Sequence, residues 1–190
     1  MQSIANYGVP NYFGEQRFGK EAHNLRVAER WFCEGIEPAD RDERGFALSA
    51  ARSGLFNAVL SQRVIDGTWN RLLDGEVVNL EGSGSVFVSE ARDPALAERC
   101  GQMDVHPTGP LCGSGDSRIS GAVLELEQRV LDPWSTWWRA LERLRVEQQR
   151  RALRLVVSEL QWQYEKNELR LSFRLTRGAF ATAVLREVMA

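Results

Sequence analysis

The chain has 190 residues, of which 43% are hydrophobic and 26% are charged, and its formal net charge is −2. This length and composition are sufficient for one domain of ordinary size, or two small ones, with a real apolar core. No apolar run approaches the about 20 residues that a helix needs to cross a bilayer, so no membrane-spanning helix and no membrane partner are expected.

The first third of the chain is predicted to be mainly helical. Residues 1–19 are rich in glycine and aromatic residues, which favours a loop with short strands. Apolar residues at helical spacing predict one helix over 20–35 and a second over about 46–64, separated by a polar, proline-containing linker at 36–44. The two apolar stripes are Leu25, Ala28, Trp31 and Phe32, and Leu48, Ala51, Leu55 and Val59.

The middle of the chain mixes strand, loop and helix signals. EVVNLEGSGSVFV at 76–88 predicts two strands around a Gly/Ser turn, and residues 89–121 are predicted to be irregular. A helix is expected to begin at Asp132, with Pro133 in its first turn. The tryptophans that follow could stack RNA bases, but their helical spacing favours a core position.

The C-terminal segment alternates polar and apolar residues. LQWQY and ELRLSFRL, separated by EKN, predict a β-hairpin with leucines and Phe173 on one face and arginines on the other. Gly178 then leads into a closing helix.

Charge is distributed unevenly along the chain. Residues 139–190 contain 11 Arg or Lys and 6 Asp or Glu, whereas residues 1–138 contain 13 and 20. An arginine-rich segment is one feature of nucleic-acid binding. A solvated surface in an arginine-biased protein is the alternative, and composition alone favours that alternative.

Cysteine and histidine spacing offers little chemistry. Cys33, Cys100 and Cys112 are an odd number without close pairing, which favours reduced thiols in the cytoplasm over a disulfide framework. Cys100, His106 and Cys112 lie near each other in sequence but lack the paired spacing of a zinc site, so no metal site is predicted. No basic segment followed by an apolar stretch occurs at the N-terminus, and no signal peptide is expected.

The segment GVPNYFGEQRFG at 8–19 has the composition of a binding site. Its glycines permit close backbone approach, Phe13 and Phe18 offer faces on which a base could stack, and Arg17 could contact phosphate or carboxylate. A tight turn with two core aromatics explains the same residues equally well.

VPNYFGEQRFG at 9–19 also resembles a signature of the TruD family, the tRNA pseudouridine-13 synthases. The resemblance covers essentially the whole chain, and its first and last motifs are the specific ones. Thr176 is a departure, because the family pattern has proline there. The other matching stretches, in chain order, are LSAARSGLFNAVLSQR, DG with the hairpin that follows it at 74–88, PTGPLCGSGD, QRRALRL and LRLSFRLTRGAFATAVLRE.

This resemblance implies an α+β fold. The chain would be part of a pseudouridine synthase catalytic domain, with a mixed, largely antiparallel sheet and helices, that carries an inserted α/β domain. Residues 1–36 would be a catalytic-domain piece with the NYFG motif. Residues 37–153 would be the insertion, the TRUD domain, and residues 154–190 the C-terminal catalytic piece.

It also implies an isomerase that acts on a uridine of tRNA, at position 13 by family. The bond between uracil and ribose breaks, the base turns, and it is rejoined through its C5 carbon. The nucleotide must first leave the helical stack, because its reacting atoms are inaccessible there. No organic cofactor or metal is required, and the enzyme would work in the cytoplasm.

The resemblance assigns roles to the residues of the opening motif. Phe13 would pack against the flipped uracil, and Asn11 would hydrogen-bond near the catalytic aspartate. Gln16, Arg17 and Phe18 would shape the loop, and Arg17 would also reach phosphate.

Two further arginines in the matching stretches, Arg52 and Arg186, are candidates for either an RNA-binding or a structural role. Arg186 could equally pair with a carboxylate.

The family's catalytic aspartate lies in a Gly-x-Lys-Asp segment that precedes NYFG. No Lys-Asp pair occurs in this sequence, and no aspartate precedes Asn11. We therefore expect that aspartate upstream of Met1, and this chain alone to be inactive. It would be the C-terminal portion of a tRNA enzyme, completed by a missing N-terminal half or a companion chain. A non-catalytic RNA-binding fragment, a short natural form and a gene remnant are the alternatives.

Overall fold

The computed structural model describes residues 1–89 and 93–189, which form an α+β fold. The helices are α1 (Gln2–Tyr7), α2 (His23–Glu34), α3 (Arg41–Ile65), α4 (Pro94–Gly101), α5 (Gly121–Leu131), α6 (Ser135–Arg143) and α7 (Ala181–Met189). The strands are β1 (Val9–Pro10), β2 (Val77–Leu80), β3 (Val86–Val88), β4 (Val105–Leu111), β5 (Gln149–Ala152), β6 (Arg154–Leu155), β7 (Ser158–Glu165) and β8 (Glu168–Arg174). Short 3₁₀ turns occupy Glu15–Arg17, Lys20–Ala22 and Asp132–Trp134.

The named strands pair antiparallel in three groups. The largest is a four-stranded sheet with the order β3-β2-β4-β5. β1 pairs with β6, which brings the start of the chain beside residues that follow the large sheet. β7 and β8 form a hairpin of their own.

The long helix α3 connects these parts. It begins at the N-cap Asp40, whose side chain accepts a hydrogen bond from the Glu43 amide at 2.8 Å. One section of α3 packs with α2 and α6 in an apolar cluster, and another section faces β4 and the N-terminal loop. The first cluster includes Ala28, Trp31, Phe32, Ala51, Leu55, Trp137 and Leu141.

Two further apolar clusters join the two ends of the chain to its centre. One contains residues of α1, β1, β6 and α7 and of the segment after β6, namely Ile4, Val9, Leu155, Val157, Ala183 and Val184. The other attaches the N-terminal loop to α3 and contains Tyr12, Phe13, Phe56, Leu60 and Leu153. This second cluster is the floor of the candidate site.

Several elements confirm the sequence predictions. Helices occur at α2, α3 and α7, the Gly/Ser turn joins β2 and β3, and the C-terminal alternation forms the β7–β8 hairpin. Trp137 is buried and packs against Phe32, as a core position requires. Trp134 is the exception in its stripe, because 42% of its surface is exposed.

The prediction of irregular structure for 89–121 is wrong over much of its length. Residues 94–101 are α4, which has an aspartate N-cap and a proline in its first turn, and residues 105–111 are β4. The sequence of β4 contains Pro107 and Pro110, and proline lacks the N–H that a central strand normally donates. For this reason the sequence did not predict a strand here. β4 persists because its residues 105–110 are buried between its two partner strands and α3. Glu90–Arg92, the start of the predicted segment, lie outside the described residues.

Two other predictions also need correction. Residues 1–19 contain the short helix α1, which ends at Gly8 with a positive φ of 71°. Asp132 does not begin the tryptophan-bearing helix, since α5 runs directly into a 3₁₀ turn at 132–134 and α6 follows.

Within the described residues, no helix is both long and apolar enough to cross a membrane.

Candidate nucleic-acid site

Backbone pairing fixes the position of the NYFG loop. The Asn11 amide N–H donates to the Leu153 carbonyl at 2.8 Å, directly after the β1–β6 pair. Two bonds of 3.0 Å join Phe13 to α3: its N–H donates to Asn57 Oδ1, and Asn57 Nδ2 donates to its carbonyl. The loop is therefore held between the sheet and α3 by its main chain, which leaves its side chains to line the site.

Asn11 is buried, with 6% of its surface exposed, and both polar atoms of its side-chain amide form hydrogen bonds. Its Nδ2 donates to the Ala152 carbonyl at 2.8 Å. Its Oδ1 accepts a hydrogen bond of 2.8 Å from Nη2 of Arg151. Asn11 thus orients Arg151, a residue that the sequence analysis did not single out.

The ring of Phe13 is surrounded by aromatic rings and cations. Its centroid lies 5.4 Å from that of Phe56, edge to face, and 5.8 Å from that of Phe180. The Arg151 guanidinium carbon is 4.3 Å from the Phe13 centroid, and that of Arg17 is 5.2 Å away. Only 7% of Phe13 is exposed, so a base that stacked directly on this ring would have to displace a guanidinium group.

Arg17, Gln16 and Phe18 are brought together around the same ring. Arg17 Nη1 donates to Ser49 Oγ of α3 at 2.8 Å. Gln16 and Arg17, with Phe180, line a cavity of about 320 Å³. Phe18 packs, partly buried, against the cluster that contains Phe13.

The structure gives the two other candidate arginines different environments. Arg52 donates to three backbone carbonyls, those of Leu111, Cys112 and Glu147, at 2.7–3.0 Å, and burial lowers its pKa. This arrangement ties α3 to the end of β4, which favours the structural role. Arg186 lies 4.7 Å above the ring of Tyr12, and no carboxylate of the described residues forms an ion pair with it.

A groove of about 450 Å³ opens beside Arg151, and we call it the Arg151 groove. One wall is the β2–β3 turn, residues 82–84, and the other is residues 176–179. The second wall forms a turn despite Thr176, since the Ala179 N–H donates to the Thr176 carbonyl at 3.2 Å.

A buried histidine fixes the only carboxylate that lines the described part of this groove. Arg154 Nε donates to Nδ1 of His106 at 2.9 Å, so that the histidine proton resides on Nε2. Nε2 then donates to the Glu81 carboxylate at 2.6 Å. His106 is fully buried. Its hydrogen bonds to Arg154 and Glu81 satisfy both ring nitrogens, so they account for the buried histidine without a metal ion or a nucleophilic role. No cluster of three potential metal ligands occurs within 1–89 and 93–189.

Sequence reasoning found the NYFG loop but missed the two residues that complete its surroundings, Arg151 and Phe180. Both lie within motifs already recognised, QRRALRL and RGAF. One sequence feature could have indicated Arg151. Successive residues of a strand point to opposite faces, so Arg150 and Arg151 of β5 must have different surroundings. Arg150 pairs with Glu127 at 2.7 Å, whereas Arg151 reaches the loop.

Comparison with known proteins identifies the family. The family model of tRNA pseudouridine synthase D (TruD) matches residues 34–188. Proteins named tRNA pseudouridine synthase D from Nitrosococcus oceani and Legionella pneumophila are 47% and 40% identical to this chain over its whole length. The chain spans about half the length of these curated relatives, 53% and 56% respectively.

A solved structure has the same fold. It is a Methanosarcina mazei protein described as a tRNA pseudouridine synthase D, and it aligns with a TM-score of 0.67 at 21% identity. The alignment covers 99% of this chain and 62% of that protein. Because the family model matches most of the chain, residues 34–188, and the curated relatives match its whole length, the chain belongs to the TruD family of tRNA pseudouridine synthases.

Proposed function

We propose that this chain is the tRNA-binding and active-site-lining portion of a uridine-to-pseudouridine isomerase. The observation that carries the proposal is the Phe13 ring of the NYFG loop, over which the guanidinium groups of Arg17 and Arg151 lie, with Arg151 also lining an open groove. Aromatic rings and guanidinium planes are the groups on which proteins stack an unpaired RNA base. The substrate is a uridine of tRNA, at position 13 by the family pattern, flipped out of its stack.

Each loop residue has a proposed task. Phe13 supports the base-binding surface, and the buried amide of Asn11 fixes the geometry of the neighbouring polar groups. Gln16, Arg17 and Phe18 shape the adjoining cavity, where Arg17 meets the RNA backbone. The reaction breaks the C1′–N1 bond and forms a C1′–C5 bond; the hydrogen of C5 leaves as a proton and N1 gains one, so the product is an isomer of the substrate.

The catalytic aspartate is proposed to come from outside these residues, since the sequence contains no Lys-Asp pair. The relatives are about twice as long as this chain, and their remaining half is the proposed source. The chain alone is then expected to bind tRNA without converting it. An RNA-binding module is the alternative function, and the arginine cluster favours it equally. We place the activity in the cytoplasm, where tRNA is used.

The organisation into a catalytic piece at 1–36, an insertion at 37–153 and a second catalytic piece at 154–190 is part of the proposal. The cluster that unites α1, β1, β6 and α7 supports a common unit for the two ends of the chain. α2 lies before the proposed boundary at residue 36, and it also packs on α3 and α6 of the proposed insertion.

A chimera tests the enzyme proposal. This chain replaces the matching half of the Nitrosococcus oceani relative, and tritium release is measured from tRNA that carries C5-labelled uridine. Release by the chimera and none by the chain alone is the expected result. Release by the chain alone would show that its own residues include the catalytic group. An inactive chimera that still binds tRNA would favour the binding-module alternative.

A further inference from the structure

Arg151 is a partly buried cation that pairs with no carboxylate among residues 1–89 and 93–189. Its Nη2 donates to Asn11 Oδ1 and, at 3.4 Å, to the Gly178 carbonyl. Its Nε is buried and has no hydrogen-bond partner.

Three arginine side chains that are almost completely buried have protein partners for their charge or their N–H groups. Arg63 pairs with Glu76 at 3.0 Å, and Arg150 pairs with Glu127. Arg154 donates to His106 and to two backbone carbonyls. Buried charges are normally paired because desolvation is costly, so an unpaired one indicates a partner that arrives from outside.

A second unpaired cation increases the positive potential at Arg151. Arg17 lies over the same Phe13 ring, and its recorded side-chain hydrogen bond is to the neutral Ser49. Burial lowers the pKa of Arg151 to about 10, and the charge of Arg17 acts in the same direction. Both effects would be relieved by an anion that contacts Arg151.

We propose that Arg151 binds a phosphodiester group of the RNA strand that lies in the Arg151 groove. The inference rests on the proposed function, because it names a contact between that substrate and a particular residue. Arg151 is thereby a substrate-binding residue, and Asn11 positions it.

The groove favours phosphate over a single carboxylate. Its lining also includes Arg177 and Arg154, of which Arg154 already donates to His106 and to two backbone carbonyls. The acidic residue of the lining, Glu81, already accepts a hydrogen bond from His106. One carboxylate would neutralise Arg151 but leave Arg177 and Arg17 uncompensated. A polyanionic strand can satisfy all three, and the guanidinium fork suits the paired oxygens of a phosphodiester.

Salt-dependent binding of a labelled oligouridylate to the full chain tests the contact. The Arg151→Gln variant is expected to bind at least tenfold more weakly at low salt. Its slope of log affinity against log salt should fall by about 0.7, the value for one lost single-strand phosphate contact. The Arg151→Lys variant should keep the slope while it loses affinity, because it keeps the charge but not the fork.

Arg139→Gln is the matched control. Arg139 also lies over an aromatic ring, 5.5 Å from the centre of Trp138, but outside the groove. For the Arg139→Gln variant, the slope of log affinity against log salt should equal that of the unsubstituted chain. Equal slopes for Arg151→Gln and Arg139→Gln would overturn the inference.

A second measurement needs no variant that might fail to fold. Phenylglyoxal modifies arginines of the unsubstituted chain, and peptide mass spectrometry reports each site. RNA is expected to protect Arg151 and not Arg139. An Arg151 that RNA leaves unprotected would point to a carboxylate partner and overturn the inference. Failure of the unsubstituted chain to bind RNA would overturn the proposed function as well.

Discussion

At the scale of single residues, Arg63 illustrates how the fold accommodates charge. Two of its guanidinium nitrogens lie 3.0 Å from Glu76 Oε2, and the pair is almost completely shielded from solvent. Arg63 also donates to the carbonyls of Thr68 and Arg71, which closes the segment after α3. The pair therefore links the end of α3 to the start of β2.

Glu76→Ala is expected to lower the free energy of unfolding by about 3–5 kcal/mol, since it leaves the Arg63 charge buried and unpaired. Urea denaturation measures this loss. Glu159→Ala is the control, because the Glu159–Arg174 pair is 61% and 73% exposed. The Glu159→Ala variant is expected to lose no more than about 1 kcal/mol in the free energy of unfolding. Equal costs for the two variants would contradict the structural role of Glu76.

The three cysteines are expected to differ sharply in reactivity. Cys33 is exposed, whereas burial raises the pKa of Cys100 and raises that of Cys112 to about 12. At about pH 8 the thiolate fraction of Cys112 is then about one in ten thousand, and the thiolate is the reactive species. DTNB should therefore titrate one thiol rapidly in the folded chain and all three after denaturation. Cys33→Ser should abolish the rapid phase. A rapid phase that persists in this variant would show that Cys100 or Cys112 is accessible to DTNB, contrary to their burial in the structure.

The same raised pKa values affect stability at alkaline pH. The folded state retains the Cys112 proton, whereas the unfolded state loses it near pH 9.0, the ordinary pKa of a thiol. The unfolded state then binds fewer protons, so the stabilising contribution is complete below about pH 9 and decreases toward pH 12.

The residue-level chemistry was only partly available from sequence. Asn11 and Phe13 belong to a recognisable motif, so their importance could be predicted. The contact between the Arg151 guanidinium group and the Phe13 ring could not be predicted. That contact joins residues 138 positions apart, and its existence depends on how β5 lies beside the NYFG loop. His106 was similarly uninterpretable until Arg154 and Glu81 were seen on its two nitrogens.

At the scale of elements, two Asp-Gly turns that look alike in sequence have different packing. Gly67 and Gly75 have φ values of 65° and 78°. A Cβ on Gly67 would meet no atom within 4 Å. A Cβ on Gly75 would lie 1.9 Å from the Ser120 carbonyl oxygen, at the start of α5.

This difference predicts unequal effects of alanine. Both substitutions incur the cost of a left-handed conformation, about 1–2 kcal/mol. Gly75→Ala must in addition displace the backbone that leads into α5, and we expect a further loss of about 2 kcal/mol or more. Thermal unfolding of the two variants side by side measures the difference. If Gly67→Ala proved as destabilising as Gly75→Ala, close approach to Ser120 would not be the cause.

Elements with clear periodicity were predictable, and those that depend on tertiary partners were not. The stripes of α2 and α3 and the alternation of β8 are local signals, which is why their positions were found within a few residues. β4 has a sequence, VHPTGPL, that locally argues against a strand. Its strand geometry comes from β2 and β5 on either side, and no local pattern encodes those partners.

At the scale of the whole molecule, the two ends of the chain depend on each other. α7 contributes Ala183 and Val184 to the cluster that also holds Ile4 and Val9. Residues before α3 are equally integrated, because Trp31 packs against the α3–α6 cluster and Phe13 against α3. The β7–β8 hairpin is the contrast, since most of its residues are exposed on both faces.

Limited trypsin digestion is therefore expected to cut first in this hairpin. Lys166 and Asn167 form its turn, and both have positive φ values in an exposed two-stranded ribbon that is only marginally stable alone. Cleavage after Lys166 gives fragments 1–166 and 167–190. The two should co-elute in size-exclusion chromatography, because the C-terminal fragment contains α7, and α7 packs against β1.

Lys166→Gln provides the control for this assignment, and it should delay the first cut without a change in thermal stability. Initial cleavage in the 36–44 segment would instead show that the connection before α3 opens more readily than the hairpin. Separation of the two fragments after cleavage would show that the cluster of Ile4, Val9 and Val184 is too weak to hold the chain ends together. Co-elution would establish that the two ends form one folded unit, as expected for pieces of a single domain interrupted by an insertion.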